Sequence, residues 1–485
     1  MKILLSLMRA ACLLPFLILC NACSQPDDAP PLPFGALPSD AQLQWQQMEY
    51  YMFAHFGPNT FTDVEWGDGK EDPRVFNPTD LDCRQWASTA KAAGMTGIII
   101  TAKHHDGFCL WPSQHSKHTV RESLWLGGKG DVLAMLSEAC REAGLAFGVY
   151  ISPWDQNHPA YGSPAYNQVF ANTLDEALGN YGPVFEQWLD GANGDANKGQ
   201  LKQQYDWKLF HQTIFSKQPG IIIFSDIGPG CRWMGNERGV AGETNWSRLN
   251  TDGFEPGLGS PPRDTLEQGN RYGRQWIPAE TDVSIRPGWF YSPSTDDKVK
   301  SVEQLMDIYY TSVGRNSNLL LNVPPDRRGR IHPIDSARLI QFREAREKAF
   351  AHNLLTTQAS VSSKQSRRGK AFSASNIADG NYHTYWAAAD GALTATIDIA
   401  LSSPATFNRL LIQEYIPLGQ RVSSFNIEAA DESGTSWNPV AEGTTIGYKR
   451  ILRFDPVTAR RLRINITGAL AGPVISSAEL YMDHQ

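Results

Sequence analysis

Over the first two-thirds of the chain, short apolar runs alternate with longer stretches of helical periodicity. Strands are predicted at Tyr50–His55, Gly97–Thr101, Leu145–Ile151, Phe185–Asp190, Ile221–Ser225, Trp276–Asp282 and Leu319–Val323. Helices are predicted at Leu81–Ala93, Asp131–Ala143 (ended by Gly144), Phe170–Asn180, Gln203–Phe215 and Ser301–Val313. Runs that stay apolar without alternation belong to strands buried on both faces, and helices between such strands imply a parallel sheet. About seven or eight such units predict an α/β fold, a (β/α)8-like TIM-type barrel over residues 41–350. An open doubly wound sheet is the alternative. No glycine-rich dinucleotide fingerprint opens any of the helices, so that fold's usual cofactor is not signalled.

Past Phe350 the pattern changes to short alternating runs rich in Ser and Thr, among them Leu393–Ile399, Arg409–Gln413, Phe425–Ala429 and Arg461–Ile466. Regular short strands with turn signals predict an all-β sandwich over residues 351–485. The other end of the chain reads as an export signal over residues 1–22. Lys2 and Arg9 precede the apolar run Ala11–Cys20, which is too short for a membrane span. Asn21-Ala22-Cys23 resembles a bacterial lipoprotein box, with Cys20 where Leu is usual. A lipid on Cys23 would be the only membrane contact and would place the protein in the periplasm or on the outer membrane. Residues 23–40, rich in Pro, Asp and Ala, read as a flexible tether.

Composition adds exclusions. A net charge of −7 without a basic block argues against a nucleic-acid partner. Three of the seven cysteines (Cys12, Cys20, Cys23) fall in the export segment. The other four, Cys83, Cys109, Cys140 and Cys231, form no C-x-x-C pair, so neither a zinc site nor a disulfide framework is signalled. Trp and Tyr are abundant, and their flat faces suit the apolar C–H faces of sugar rings, although most must be core.

The candidate chemistry follows the strands. His55, His104-His105, Tyr150 with Asp155, Asp190 and Asp226 come at successive strand ends, where a barrel gathers its catalytic groups. Asp190 ends the run Phe185–Leu189 and is followed by Gly191. It reads either as a helix cap or as a nucleophile. A retaining glycosidase pairs such a carboxylate with a second carboxyl group of raised pKa. The candidates for the second group are Asp226, Glu237, Glu243 and Glu280. Glu237 has Trp233 nearby to lower the local polarity and Arg238 beside it, whose charge would lower the pKa. His104 and His105 can face one ligand only if the chain turns after them, and Asp106-Gly107 supplies the turn. They read as metal ligands with His55, as sugar-hydroxyl partners or as buried structural groups; the His-x-His pattern of metal-dependent barrel hydrolases is absent.

His55-Phe56-Gly57, Glu65-Trp66-Gly67, Ala102–Trp111 (AKHHDGFCLW), Tyr150–Asp155 (YISPWD) and Trp188-Leu189-Asp190-Gly191 occur in this order. Together they resemble the α-L-fucosidases of glycoside hydrolase family 29 over roughly residues 44–350. Gly182–Glu186 and Gly235–Gly239 resemble the branch that prefers α-1,3/1,4-linked fucose. The resemblance implies a retaining exo-hydrolase of terminal α-L-fucose, acting on fucosylated oligosaccharides without a metal or organic cofactor. It assigns Asp190 as nucleophile, and His55, Glu65, Trp66, His104, His105, Tyr150 and Trp188 to fucose binding. Trp289 would lie under the sugar methyl. Glu237 is chosen as acid/base over Glu243. A non-catalytic glycan-binding surface lipoprotein on the same scaffold is the competing reading, and the presence of both carboxyl groups argues against it. Ser375–Gly380, Thr384-Tyr385-Trp386 and Arg461–Ile464 make the last domain resemble discoidin (coagulation-factor type C) and galactose-binding-like domains. That resemblance implies either a passive brace or a glycan binder, with a structural calcium near Asp379-Gly380.

Overall fold

The computed structural model describes residues 29–256 and 259–484. The export segment and Cys23 lie outside these residues. Eight parallel strands close a barrel: β1 (Tyr50–Ala54), β2 (Gly97–Lys103), β3 (Ala146–Ile151), β4 (Glu186–Trp188), β5 (Ile222–Ser225), β6 (Cys231–Trp233), β7 (Ala279–Ser284) and β8 (Ser317–Asn322). Around the barrel the order is β1-β8-β7-β6-β5-β4-β3-β2. Helices Cys83–Ala92, Val132–Ala143, Ala165–Gly179, Trp207–Lys217, Val302–Thr311 and Pro333–Ala349 cover the outside. Their ends follow local chemistry. The side chains of Asp82, Asp131 and Asp206 each accept a backbone N–H of the helix they precede, and Ser301 forms a capping box with Gln304. The cap at Asp206 starts that helix later than the predicted Gln203.

Three predicted elements are corrected. Trp276 is not in a barrel strand; Gln275–Trp276 pairs antiparallel with Arg248–Leu249 in a separate ribbon, and the barrel strand begins at Ala279. The predicted strand Phe185–Asp190 is extended only over Glu186–Trp188, so Asp190 stands beyond its tip. Cys231–Trp233, outside every predicted strand and helix, is the barrel strand β6. It escaped notice because only Asp226–Gly230 joins it to β5, too little chain for the usual crossover helix.

Side chains alternate along a strand, and in a closed barrel one face points inward. The inward series are Tyr51/Phe53 on β1, Glu186/Trp188 on β4, Ile222/Phe224 on β5, Cys231/Trp233 on β6 and Glu280/Asp282 on β7. The lower layer is closed by the N-terminal helix Asp40–Met48. Its Trp45 donates from Nε1 to Glu186 Oε2 at 2.8 Å, and its backbone oxygen accepts from Asn318 Nδ2 at 2.7 Å. The middle layer is aromatic: Phe53, Tyr150, Trp188 and Phe224, with Trp188 stacked on Phe224 at 3.9 Å between ring centroids.

The C-terminal domain is a seven-stranded antiparallel sheet fold with its own core around Trp386, Leu410, Ile412, Phe425 and Ile464. The runs Leu393–Ile399 and Arg409–Gln413 are parts of one strand, Ala395–Glu414, whose register shifts at Ala400/Ala405 and Phe407/Arg409 produce the polar break between them. Asp379 closes its own turn, accepting from Asn381 N–H and from the Thr384 hydroxyl. The predicted tether is docked from Ala29 onward. Arg367 donates to the Ala29 carbonyl and Arg421 to the Leu32 carbonyl, and Phe34 lies under Arg248. The cause is that buried arginines of the sandwich need acceptors, and this segment's backbone provides them. The cysteines Cys83, Cys109, Cys140 and Cys231 are buried thiols.

One buried ion pair holds the loop after β7. Arg286 donates to Asp335 at 2.8 Å, to Asp296 at 2.8 Å and to Thr295 at 3.0 Å, and neither Arg286 nor Asp335 is exposed. Removing one partner strands the other in a dry site, at a cost of about 3–5 kcal/mol. Arg286→Met is therefore expected to lower the urea midpoint sharply. The double variant Arg286→Met/Asp335→Leu should recover most of the loss. A single variant as stable as the parent would contradict this reading.

Candidate active site

The C-terminal mouth of the barrel opens into a pocket of about 560 Å3. The strand alternation fills it, since the residues that follow the two inward layers are His55 beyond β1 and Asp190 beyond β4. His104 and His105 follow β2 in a turn, with ring centroids 4.1 Å apart, and both line the pocket. The turn depends on Gly107, which has φ +82° and sits against Asp155, leaving no room for a side chain. Asp155 itself does not reach the pocket; it is buried in a 3.0 Å ion pair with Lys103. Glu65 and Trp66 arrive on the loop after β1. Glu65 accepts the backbone N–H of Trp289, and Gly288, at φ +80°, is where a Cβ would meet Glu65 Oε2 at 2.8 Å. Trp66 is 57% exposed and stands edge-on to His105.

Asp190 is a half-buried acceptor. Its Oδ2 takes the Tyr150 hydroxyl at 3.0 Å, and its Oδ1 takes the Ala192 N–H at 2.8 Å. Both donors stabilise a carboxylate. His105 Nε2 lies 3.8 Å from Oδ2. Glu237 stands across the same pocket and accepts from Trp289 Nε1 at 3.3 Å. Partial burial raises its pKa, the indole N–H opposes that, and the Asp190 charge adds to it. Its partner is thus Trp289 rather than the adjacent Arg238. Glu65 is also raised, first by burial, against two backbone hydrogen bonds.

The histidine tautomers follow from their partners. Asn322 donates from Nδ2 to Ser284 Oγ at 2.9 Å and to the Trp289 carbonyl at 2.8 Å, so its Oδ1 must accept. His55 Nδ1–H donates to that Oδ1 at 2.8 Å. Ser152 donates its hydroxyl proton to the Trp154 carbonyl at 3.0 Å, so its oxygen accepts His105 Nδ1–H at 2.8 Å. Each ring is left with Nε2 as an acceptor. His104 Nδ1 is buried without a protein partner. Burial drives the pKa of all three downward, that of His55 to about 3, so they are neutral at physiological pH. A neutral, acceptor-rich lining suits the O–H donors of a sugar.

The remaining carboxyl candidates separate cleanly. Glu243 lies at the contact between the domains, 72% exposed, paired with Arg315 at 3.0 Å. Asp226 lines a side lobe of the pocket. Glu280 is beneath the floor, fully buried with Glu186. It accepts from Trp188 Nε1 at 2.9 Å and from the Tyr51 hydroxyl. Burial lifts Glu186 to about 7 and Glu280 further, the latter helped by the Glu186 charge, so this pair keeps a proton at neutral pH. Glu186, Cys231 and Glu280 place ligand atoms within 4.8 Å of one another, the only such group of three among the described residues. Three aromatic donors already aim at these carboxyls, and burial keeps the thiol protonated, so the set fits a shared proton better than an ion. The three pocket histidines do not form a ligand group of that spacing among the described residues.

Sequence reading brought His55, Glu65, Trp66, His104, His105, Tyr150, Trp188, Asp190, Glu237 and Trp289 forward, and all ten line this pocket. It missed Phe53 and Asp282 in the lining, and Asn322 and Ser152 behind the histidines. The available signal was period two: Asp282 is two residues from Glu280, and Ser152 two from Tyr150.

A family profile described as Alpha-L-fucosidase matches residues 37–344, and one described as F5/8 type C domain matches residues 358–480. The chain is 43% identical over 457 residues to Alpha-L-fucosidase 1 of Arabidopsis thaliana, covering 93% of this chain and 89% of that one. The solved structure of a Ruminococcus gnavus GH29 fucosidase in complex with fucose superposes with a TM-score of 0.87 at 34% identity, covering 94% of this chain and 97% of that one. A glycoside hydrolase 29 family member from an unknown rumen bacterium superposes with a TM-score of 0.81 at 42% identity, covering 93% of this chain and 78% of that one.

The neutral His55 makes a pH prediction. Its folded pKa lies below the unfolded 6.5, so the unfolded chain binds the extra proton between about pH 3 and 6.5. Its contribution is complete above pH 6.5 and is lost as pH falls through that window. At pH 4.5 the loss should be about 2–3 kcal/mol. Urea unfolding of the parent and of His55→Gln at pH 7 and pH 4.5 reads it: the variant should lose less on acidification. Equal losses would show that His55 is not held neutral.

Proposed function

The chain belongs to the alpha-L-fucosidase family of glycoside hydrolases and is a hydrolase of α-L-fucosides; on that premise we propose how it works and on what. The enzyme removes terminal α-L-fucose with retention of configuration, by double displacement. Asp190 attacks the anomeric carbon while Glu237 gives its proton to the leaving oxygen. Water then attacks the glycosyl-enzyme with Glu237 as base, and Asp190 leaves as carboxylate. The observation that carries this reading is the contrast between the two carboxyls of one pocket. Asp190 accepts the Tyr150 hydroxyl and the Ala192 N–H, and Glu237 sits against an indole with its pKa raised by burial. The Nε2 acceptors of His55 and His105, with Glu65, take fucose hydroxyls. Trp289, half-buried beside His55 at 5.0 Å between ring centroids, supplies the apolar face for the 6-methyl group.

Fucose linked α-1,3 or α-1,4 on a branched glycan is the proposed substrate. This rests on the Gly182–Glu186 and Gly235–Gly239 segments, the second of which carries Glu237. The apolar run Ala11–Cys20, followed by Asn21-Ala22-Cys23, supports export to the bacterial periplasm or outer membrane, with the lipid anchor as the sole membrane contact. Release from the membrane fraction on Cys23→Ala is the expected result.

The main test supplies a trisaccharide with fucose α-1,3 or α-1,4 on N-acetylglucosamine and, separately, 2′-fucosylated lactose. Fucose should be released from the first and much less from the second. Asp190→Gly should lose turnover and regain part of it with azide. Glu237→Ala should lose about 10²–10⁴-fold with a sugar leaving group and far less with an activated aryl one. It should also flatten the alkaline limb of the kcat/KM profile, because the acid form is what vanishes as pH rises past a raised pKa. A uniform loss on both substrates would remove Glu237 from the acid role.

A further inference from the structure

Beside Asp190 the pocket extends into a lobe of about 220 Å3, lined by Trp188, Phe224 and Trp233 on its aromatic side and by Asp190, Asp226, Glu237 and Asp282 on its carboxyl side. Asp282 borders both the lobe and the main pocket and is 3% exposed. Trp233 Nε1–H donates to its Oδ1 at 3.0 Å, which fixes the carboxyl group. The lobe is roomy enough for several waters, and its carboxyls give each the two or more polar partners an ordered water needs. Gly191 also lines the lobe, and a Cβ added there would stand 3.0 Å from Asp226 Oδ1.

We propose that this lobe holds the water that completes turnover, and that Asp282 is the residue that positions it. The inference rests on the double-displacement reading above. In the second step the water oxygen bonds to the anomeric carbon and the bond from that carbon to the Asp190 oxygen breaks, its electron pair staying on Asp190. One water proton passes to the Glu237 carboxylate, which regenerates the acid. Asp282 does not exchange a proton. Burial first, and then the Glu237 charge, keep its carboxyl neutral, so its O–H donates to the second lone pair of the water and turns the first toward the sugar. The groups facing Asp282 are Trp233 from β6, Trp188 and Asp190 from β4 and its tip, Glu237 from the loop after β6, and Glu280 two residues before it.

Water and an added acceptor sugar compete for the same intermediate, so the partition between them tests the lobe alone. The donor is an aryl α-L-fucoside and the acceptor is lactose at high concentration. In the parent enzyme, transfer product with retained configuration shows the intermediate; its complete absence would remove the double-displacement reading rather than the role of Asp282. In Asp282→Leu the ratio of transfer to hydrolysis should rise about fivefold, the effect of one lost neutral hydrogen bond. Asp282→Asn keeps a donor and should stay near the parent. Gly191→Ala, which narrows the lobe and leaves Asp282 in place, should raise the ratio in the same direction and carries the test if Asp282→Leu fails to fold. An unchanged ratio in the variants that fold would overturn the proposal. A lowered ratio would assign the lobe to the acceptor sugar and overturn it equally.

Discussion

The hydrogen bond from Trp188 to Glu280 supports everything at the mouth of the barrel. Its acceptor is a buried carboxyl, and the bond fixes the plane of the indole. That plane stacks on Phe224 and on Tyr150 in the same layer, with ring centroids 3.9 and 5.2 Å apart. Tyr150 in turn delivers its hydroxyl to Asp190. A group two layers under the pocket therefore sets the orientation of the proposed nucleophile. The links between Glu280 and Asp190 are the aromatic side chains of Trp188 and Tyr150, so little rotamer entropy is lost there when substrate arrives.

Two buried carboxyls in contact would repel each other if both were ionised. The barrel avoids this without a compensating cation. Glu280 keeps its proton, and Trp45, Tyr51 and Trp188 donate to the pair. The same economy of charge governs the pocket above. His55 and His105 are held in one tautomer by Asn322 and Ser152 and stay neutral because their rings are buried. Their lone pairs can accept hydroxyls, which imidazolium could not do. Asp190 takes the Tyr150 hydroxyl and the Ala192 N–H beside this neutral histidine wall, and a carboxylate so placed can meet the positive charge of a transition state of oxocarbenium character.

Parts of this site were legible because their signals are local. Two adjacent histidines followed by Asp106-Gly107 require a turn, and the left-handed Gly107 makes that turn. Strand-end polar groups at His55, Tyr150 and Asp190 could be read off apolar runs that stop. Glu237 and Glu243 could not be told apart by spacing alone. Only the tertiary structure shows Glu243 paired with Arg315, with its backbone carbonyl taken by Thr444 and Arg450 of the second domain. Cys231–Trp233 carries no strand signal for a related reason: a three-residue strand has no period to detect, and it becomes a strand only by pairing with β5 and β7. The segment from Ala29 to Asp40 had the composition of a linker, yet arginines more than three hundred residues away hold its carbonyls.

By itself the sequence determined the succession of strands and helices, the change to a β domain near Phe350, and the residue types at each strand tip. These depend on periodicity and capping, which neighbouring residues settle among themselves. The tertiary structure decided which face of each strand points inward, and therefore that Glu280 is a foundation, Asp282 a wall and Asp190 a tip. It also decided which tautomers the histidines adopt and which carboxyls keep protons. Those properties are set by desolvation and by partners on other strands, and both come into being only when the sheet closes.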